Sequence, residues 1–225
     1  MDTNNNDPII IENFNPKNYF NIEDIKKIKN NQKLKITNIG KYSITKPLHT
    51  NWIKSILINF FKNKDINTKI LSIIDATACI GGDSLSFSKY FKQVLSIEKD
   101  KTHFQILENN IKICETDNIK LINNDFISYI EKQQLYKSYH VLFIDPPWGG
   151  PDYKNVDKLD LFLYNNQNIK INIKTIINSY FDKFKYIILK CPINFHLIKS
   201  YYLYKNIHSY IANDNKVQLI IFEKI

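Results

Sequence analysis

The stretch "KILSIIDATACIGGDSLSFSKYFKQVLSIEKD", Lys69 to Asp100, decides the fold. A short apolar run ends on an acid and a glycine-bearing turn, a helical pattern follows, and a second apolar run ends on another acid. Short apolar runs bounded by turn residues read as buried strands, and strand, helix, strand in succession predicts a right-handed crossover between parallel strands. The alternation continues through "KTHFQILENNIKIC", "IKLINND", "FISYIEKQQ", "HVLFIDPPW", "IKTIINSYFDKF" and "KYIILKCP", which ends at Pro192. Repetition of that unit calls for a parallel sheet with helices on both faces. Beyond it, "YLYKNIHSYIA" and "KVQLIIFEKI" flank "NDN", Asn213 to Asn215, and predict a closing antiparallel hairpin. The expected fold is α/β and Rossmann-like: a mostly parallel seven-stranded sheet with a C-terminal antiparallel hairpin.

On the N-terminal side, residues 1–18 are polar and Asn-rich, with Pro8 and Pro16, and read as a loose or docking arm. "NIEDIKKIKNNQ" predicts a short helix, and in "KPLHTNWIKSILINFFKN" the residues Trp52, Ile53, Ile56, Leu57, Phe60 and Phe61 recur at helical spacing. The expected organisation is a short helical N-terminal extension, residues 1–68, followed by the α/β unit, residues 69–225.

A chain of 225 residues that is 44% hydrophobic has the means to bury one sizeable core. No apolar run approaches the roughly 20 residues that cross a bilayer, and the start "MDTNNNDPII" lacks a basic region followed by an apolar one. An intracellular, cytoplasmic protein with no membrane partner is expected. Cys79, Cys114 and Cys191 are odd in number and lack CxxC spacing, so neither a disulfide framework nor a metal site is indicated. A formal charge of +9 suggests an anionic partner, nucleic acid first, although an AT-rich genome would enrich Lys, Asn and Ile without selection for binding.

Ligands of such sheets sit beyond the carboxyl ends of the strands. The first strand ends in "DATACIGGD", where Asp75 suits a cationic or hydroxyl-bearing group and Gly81 and Gly82 would let backbone approach a ligand closely. The turn has neither GK[ST] nor the full GxGxxG. The second strand ends in Glu98, placed for the hydroxyls of a ribose or, alternatively, as a solvated acid at a helix start. The third ends in "NNDF", where Asp125 would accept from an adenine amino group or serve as a helix N-cap. Three acids over a glycine-bearing turn, with no basic phosphate cradle, favour S-adenosylmethionine over a nicotinamide cofactor or ATP. In "FIDPPW", Pro146 and Pro147 fix two φ angles and remove two donors, which leaves the Asp145 and Pro146 carbonyls free to face the cleft. A carbonyl and a side-chain oxygen would then accept both hydrogens of an exocyclic amine and aim its lone pair at the methyl group. Trp148 offers a flat surface for a base, with space beside it at Gly149 and Gly150.

"DPPWGGPDY", Asp145 to Tyr153, resembles motif IV of the trimethylguanosine synthases, the RNA cap guanine-N2 methyltransferases, in which a Ser or similar residue precedes PPWGGPDY. "DATACIGGD" with "IEKD" resembles their cofactor motifs, and "YSITKP", Tyr42 to Pro47, is similar to the segment before their core. The resemblance implies a class I methyltransferase that moves a methyl group from S-adenosyl-L-methionine to the N2 of an N7-methylguanosine RNA cap. It implies that Asp75, Gly81, Gly82, Glu98, Asp125 and Thr45 hold the cofactor, and that Asp145 and the Pro146 carbonyl meet the target amine beside Trp148. Ser43, Lys46 and Pro147 would complete the substrate side, in a protein expected to act as a monomer on capped RNA without metal. A guanine methylated at N7 is cationic, and a tryptophan face attracts a desolvated cation by about 2 kcal/mol. The chain departs from the pattern where Cys79 stands in place of the first glycine, so the turn must tolerate a side chain there. It departs again where Asp145 replaces Ser and restores the acid of amino-methyltransferases that act on DNA and other RNAs. The alternatives are therefore guanine N2 or adenine N6 of other RNA or DNA, or an inactive fold that binds capped RNA.

Overall fold

In the computed structural model, residues 7–11, 13–26, 28–29, 33–197 and 206–224 are described. The central sheet is built from β1 (Ser72–Asp75), β2 (Gln93–Glu98), β3 (Ile119–Asn123), β4 (Val141–Ile144), β5 (Tyr186–Pro192), β6 (Asn206–Ile211) and β7 (Val217–Glu223). Its order is β6-β7-β5-β4-β1-β2-β3. Strands β3, β2, β1, β4 and β5 run parallel, while β7 runs antiparallel to both β5 and β6. The seven-stranded, mostly parallel sheet and its closing hairpin agree with the sequence reading. The hairpin strand was expected from Tyr202; β6 is described from Asn206, and residues 202–205 lie outside the described residues.

Alternation along the strands explains why helices are needed on both faces. Ile74, Leu95, Leu142, Ile187 and Leu189 pack on one face against α4 (Phe126–Gln133) and α5 (Ile173–Tyr180), through Phe126, Ile130, Ile173, Ile176, Ile177 and Tyr180. Their neighbours Ile73, Val94, Val141, Phe143 and Ile188 face the other way, onto α1 (Pro47–Lys62) and α2 (Gly82–Ser88). The expected helical spacing in α1 thus buries Ile53, Leu57, Phe60 and Phe61 in a layer of the main core, with Pro47 in the first turn where its missing N–H is harmless. His49 of α1 also reaches the β6–β7 turn, its Nε2 lying 3.0 Å from Asp214 Oδ2. A third cluster joins Phe20, Leu34, Ile36 and Ile44 of the N-terminal segment to Ile80, Leu85 and the apolar side of α3 (Lys101–Ile113).

The helix expected in "NIEDIKKIKNNQ" is a single turn, Ile22–Ile25; Lys27 and residues 30–32 lie outside the described residues. A small hairpin, Phe162–Tyr164 with Lys170–Asn172, stands between β4 and α5 and was not anticipated. Its sequence, "LFLYNNQNIKIN", alternates apolar and polar residues around a polar turn, which is the signal of a short hairpin. Among the described residues no helix is long and apolar enough to cross a membrane.

Candidate active site

Strand order reverses between β1 and β4, so a crevice opens above their carboxyl ends. Asp75 is the last residue of β1 and Asp145 follows the last residue of β4. The two tips are tied together: the Ala76 N–H donates to Phe143 O at 3.0 Å, and the Asp145 N–H donates to Thr77 Oγ1 at 2.9 Å. Proline at 146 and 147 ends the ladder at this point, and the Pro146 carbonyl receives no hydrogen bond from the described residues.

The turn after β1 needs left-handed backbone at Cys79 (φ 48°) and Gly81 (φ 105°). Glycine adopts that conformation freely; a cysteine does so at a cost, so Cys79 must be held. Glu98 holds it. Oε2 of Glu98 accepts the Cys79 N–H at 2.8 Å, and Oε1 accepts the Asp100 N–H at 2.7 Å. Burial raises the Glu98 carboxyl to about 7. Gly82 plays a part different from the expected close approach to a ligand. A Cβ there would lie 2.7 Å from Ile44 Cγ1 and 2.8 Å from the Thr45 carbonyl oxygen, so the close approach is made by the N-terminal segment itself.

That segment delivers Thr45 into a buried cluster of charge. Thr45 Oγ1 donates to Asp83 Oδ2 at 2.5 Å and accepts from Lys190 Nζ at 2.7 Å. Lys190, on β5, also donates to Asp145 Oδ2 at 2.5 Å, and its ammonium lies 5.5 Å from the centroid of the Trp148 ring. Asp75 accepts from Ser84 Oγ at 2.6 Å, and Ser84 in turn is bonded to Ser96 at 2.7 Å. Burial, then the neighbouring Asp83, raises Asp75 to about 8; burial raises Asp83 to about 6 against the pull of Lys190 and Thr45. Asp145 is likewise pushed up by burial and held back by Lys190.

Among the described residues, buried Asp75 and Asp83 and half-buried Asp145 surround the Lys190 ammonium, so the carboxyls outnumber the cation, and a bound cation would draw off the protons that burial keeps on them, whereas a phosphate would be disfavoured. Asp83 Oδ1 is buried without a hydrogen-bond partner, an arrangement that costs about 1–3 kcal/mol unless a donor is supplied. S-adenosylmethionine carries an ammonium and a sulfonium and no phosphate, so these residues fit it. Asp75, Asp83 and Glu98 are the acids that would hold it, with the Cys79–Gly82 turn as backbone support.

Asp125 caps α4, accepting the Ser128 N–H at 2.9 Å, while its other oxygen accepts the Asn166 N–H at 3.2 Å. It is 2% exposed and serves as the N-cap of α4. Through Asn166 it anchors the turn of the small hairpin, which Lys99 Nζ grips from below by donating to Asn165 O at 2.8 Å. Trp148 is half-buried, with the Tyr153 ring packed edge-on at 5.1 Å. Its indole N–H favours the charged form of Asp145 but makes no hydrogen bond of normal geometry. Ser43, Lys46 and Pro147 are exposed; Ser43 and Lys46 flank buried Thr45 on the N-terminal segment. Sequence motifs alone do not single out Lys190, Asp83 and Thr77 as site residues. The signal for Lys190 was a lone cation in the apolar strand "YIILKCP", since a charge embedded in a buried strand requires a partner.

The geometry agrees with what the chain is similar to. A family model described as RNA cap guanine-N2 methyltransferase matches residues 70–224. "Uncharacterized protein L320" of Acanthamoeba polyphaga mimivirus is 32% identical over 167 residues, 72% of this chain and 62% of that protein. The trimethylguanosine synthase of Schizosaccharomyces pombe is 36% identical over 84 residues, 36% of this chain and 35% of that protein. The chain thus spans less than two thirds of the length of these curated relatives. Among solved structures, the N-terminal domain of human METTL16 in complex with SAH superposes with a TM-score of 0.55 at 13% identity, covering 80% of this chain and 71% of that one, which establishes the shared fold. With the family pattern matched from before β1 to the end of β7, the chain belongs to the RNA cap guanine-N2 methyltransferase family.

Proposed function

We propose that the chain transfers a methyl group to the exocyclic N2 of an N7-methylguanosine RNA cap. The observation that carries this reading is the Pro146 carbonyl, which accepts no hydrogen bond among the described residues, beside Asp145, with Trp148 packed against Tyr153 next to them. When bound, S-adenosylmethionine supplies a methyl group already activated by the sulfonium. The protein's task is then alignment. Asp145 and the Pro146 carbonyl accept the two amine hydrogens and turn the nitrogen lone pair toward the methyl carbon. The cofactor, held by Asp75, Asp83 and Glu98, would leave as the neutral thioether once its methyl group is given up, and one amine proton would depart to water. Trp148 stacks on the base, and Ser43 and Lys46, on the exposed side of the N-terminal segment, lie where the rest of the cap would pass. The resemblance to trimethylguanosine synthases in "PPWGGPDY" supports the choice of guanine N2.

The test is transfer of labelled methyl to N7-methylated GTP, plain GTP, uncapped RNA and duplex DNA. Transfer to the N7-methylated nucleotide alone is expected. Trp148→Ala should weaken that substrate by about 30-fold, the equivalent of a desolvated cation–π contact of about 2 kcal/mol, while leaving cofactor binding unchanged. Transfer to uncapped nucleic acid would refute the cap reading and direct attention to the carboxylate at Asp145, where the trimethylguanosine synthase pattern has a Ser or similar residue.

A further inference from the structure

Lys190 lies outside the motifs that led to the active site, yet it touches Thr45, Asp145 and the Trp148 ring. It is 4% exposed, on the buried strand β5. Its ammonium has three donors, and two are accounted for by Asp145 Oδ2 at 2.5 Å and Thr45 Oγ1 at 2.7 Å. The third side of the cation faces the Trp148 ring, at 5.5 Å from its centroid. Burial works against the ammonium, but Asp145 and Asp83 more than offset this. A buried lysine in an apolar strand has no use in packing that a leucine would not serve better, so its retention requires the carboxylates it faces.

The direction of the hydrogen bonds gives the arrangement its logic. The single proton of the Thr45 hydroxyl goes to Asp83, which leaves the Thr45 oxygen as an acceptor for Lys190. Lys190 is then fixed at one end by the N-terminal segment and at the other by Asp145, and Oδ1 of Asp145 remains outside the ion pair. Without the ammonium, the Asp145 side chain would lose the ion pair that holds its rotamer, and the balance would shift toward its protonated form.

We propose that Lys190 is a positioning residue for the reacting amine: it holds the Asp145 carboxylate ionised and oriented, and Thr45 makes that hold depend on the N-terminal segment being seated over Gly82. The proposal rests on the assignment of Asp145 to the target amine. Other titratable groups near the pair are Asp75 on β1, Asp83 on α2, His49 on α1, and Cys79, Tyr153 and Cys191. All are retained in the variants compared below.

The variants are Lys190→Met, Lys190→Arg, Asp145→Ser and the double Asp145→Ser/Lys190→Met, each checked for folding by calorimetric binding of S-adenosylhomocysteine. In Lys190→Met, kcat should fall by about 100-fold, the scale of a misplaced reacting group, a larger effect than the change in cofactor Kd that follows from the pull of Lys190 on Asp83. Loss of the cation raises the Asp145 pKa, so the acidic limb of kcat/KM should move to higher pH; Lys190→Arg should restore both the limb and much of the rate. In the Asp145→Ser background, Lys190→Met should cost less than about threefold, because Lys190 acts through Asp145. A carbon-13 titration of the aspartate carboxyls in Lys190→Met, which needs no RNA, should show the Asp145 titration displaced upward. Additive losses in the double variant, or an unmoved Asp145 titration, would overturn the proposal. Failure of the unmodified enzyme to methylate the cap would instead strike the substrate assignment, and the carboxyl titration would still decide the role of Lys190.

Discussion

Gly82→Ala tests the closure of the N-terminal segment on the cofactor turn. Residue 82 opens α2, so propensity alone favours the change by up to about 1 kcal/mol, since alanine loses less backbone entropy than glycine. The tertiary structure reverses the sign. The added methyl would sit 2.7 Å from Ile44 Cγ1 and 2.8 Å from the Thr45 carbonyl oxygen, and the second of these is backbone that no rotamer change can remove. Relief requires Thr45 to move away, which lengthens its bonds to Asp83 and Lys190. Overpacking of this kind costs about 1–3 kcal/mol, and weakening a hydrogen bond to a charged group adds a similar amount. A net loss of about 2 kcal/mol corresponds to a fall in Tm of roughly 4–8 °C for a chain of this size. The assay is thermal unfolding together with amide hydrogen exchange, where the amides of Ile44 and Thr45 should exchange faster than those of α1. Methyl transfer should fall with them. A Gly82→Ala protein of equal or greater stability, with exchange at Ile44 and Thr45 unchanged, would refute the reasoning.

Two further predictions concern the acids. Asp75, Glu98 and Asp83 are held up near 8, 7 and 6, above the usual carboxylate values, so the folded protein keeps protons that the unfolded chain releases. Their contribution to stability is full below about pH 4 and is lost as the pH rises through these values, so the Tm of the free protein should fall between about pH 5 and 8. S-adenosylmethionine, which favours the ionised acids, should bind more tightly over the same span and release protons, as read by calorimetry in buffers of different ionisation enthalpy; affinity independent of pH would contradict the charge cluster. Asp125→Ala removes both the cap of α4 and the anchor of Asn166, and should cost about 1–2 kcal/mol with faster exchange at the Asn166 amide. Unchanged exchange there would show that Lys99 and Asn124 hold the hairpin turn without Asp125.

Local sequence determined the succession of strands and helices, because apolar periodicity and turn chemistry act over a few residues. It also determined that acids stand at the ends of the first three strands and that two prolines freeze the fourth, and "PPWGGPDY" carried the family within a single stretch. What each acid does was decided by tertiary structure. Glu98 is occupied with the amide of Cys79, nineteen positions earlier in the chain, and Asp125 with the amide of Asn166, forty-one positions later. Gly82 looks like a place for a ligand until the Thr45 backbone is seen to fill it. Lys190 is 145 positions from Thr45 and 45 from Asp145, and only folding sets its ammonium between them. Periodicity reports which face of an element is buried, but a buried charge takes its meaning from its partners, and those are brought together by the crossovers of the sheet.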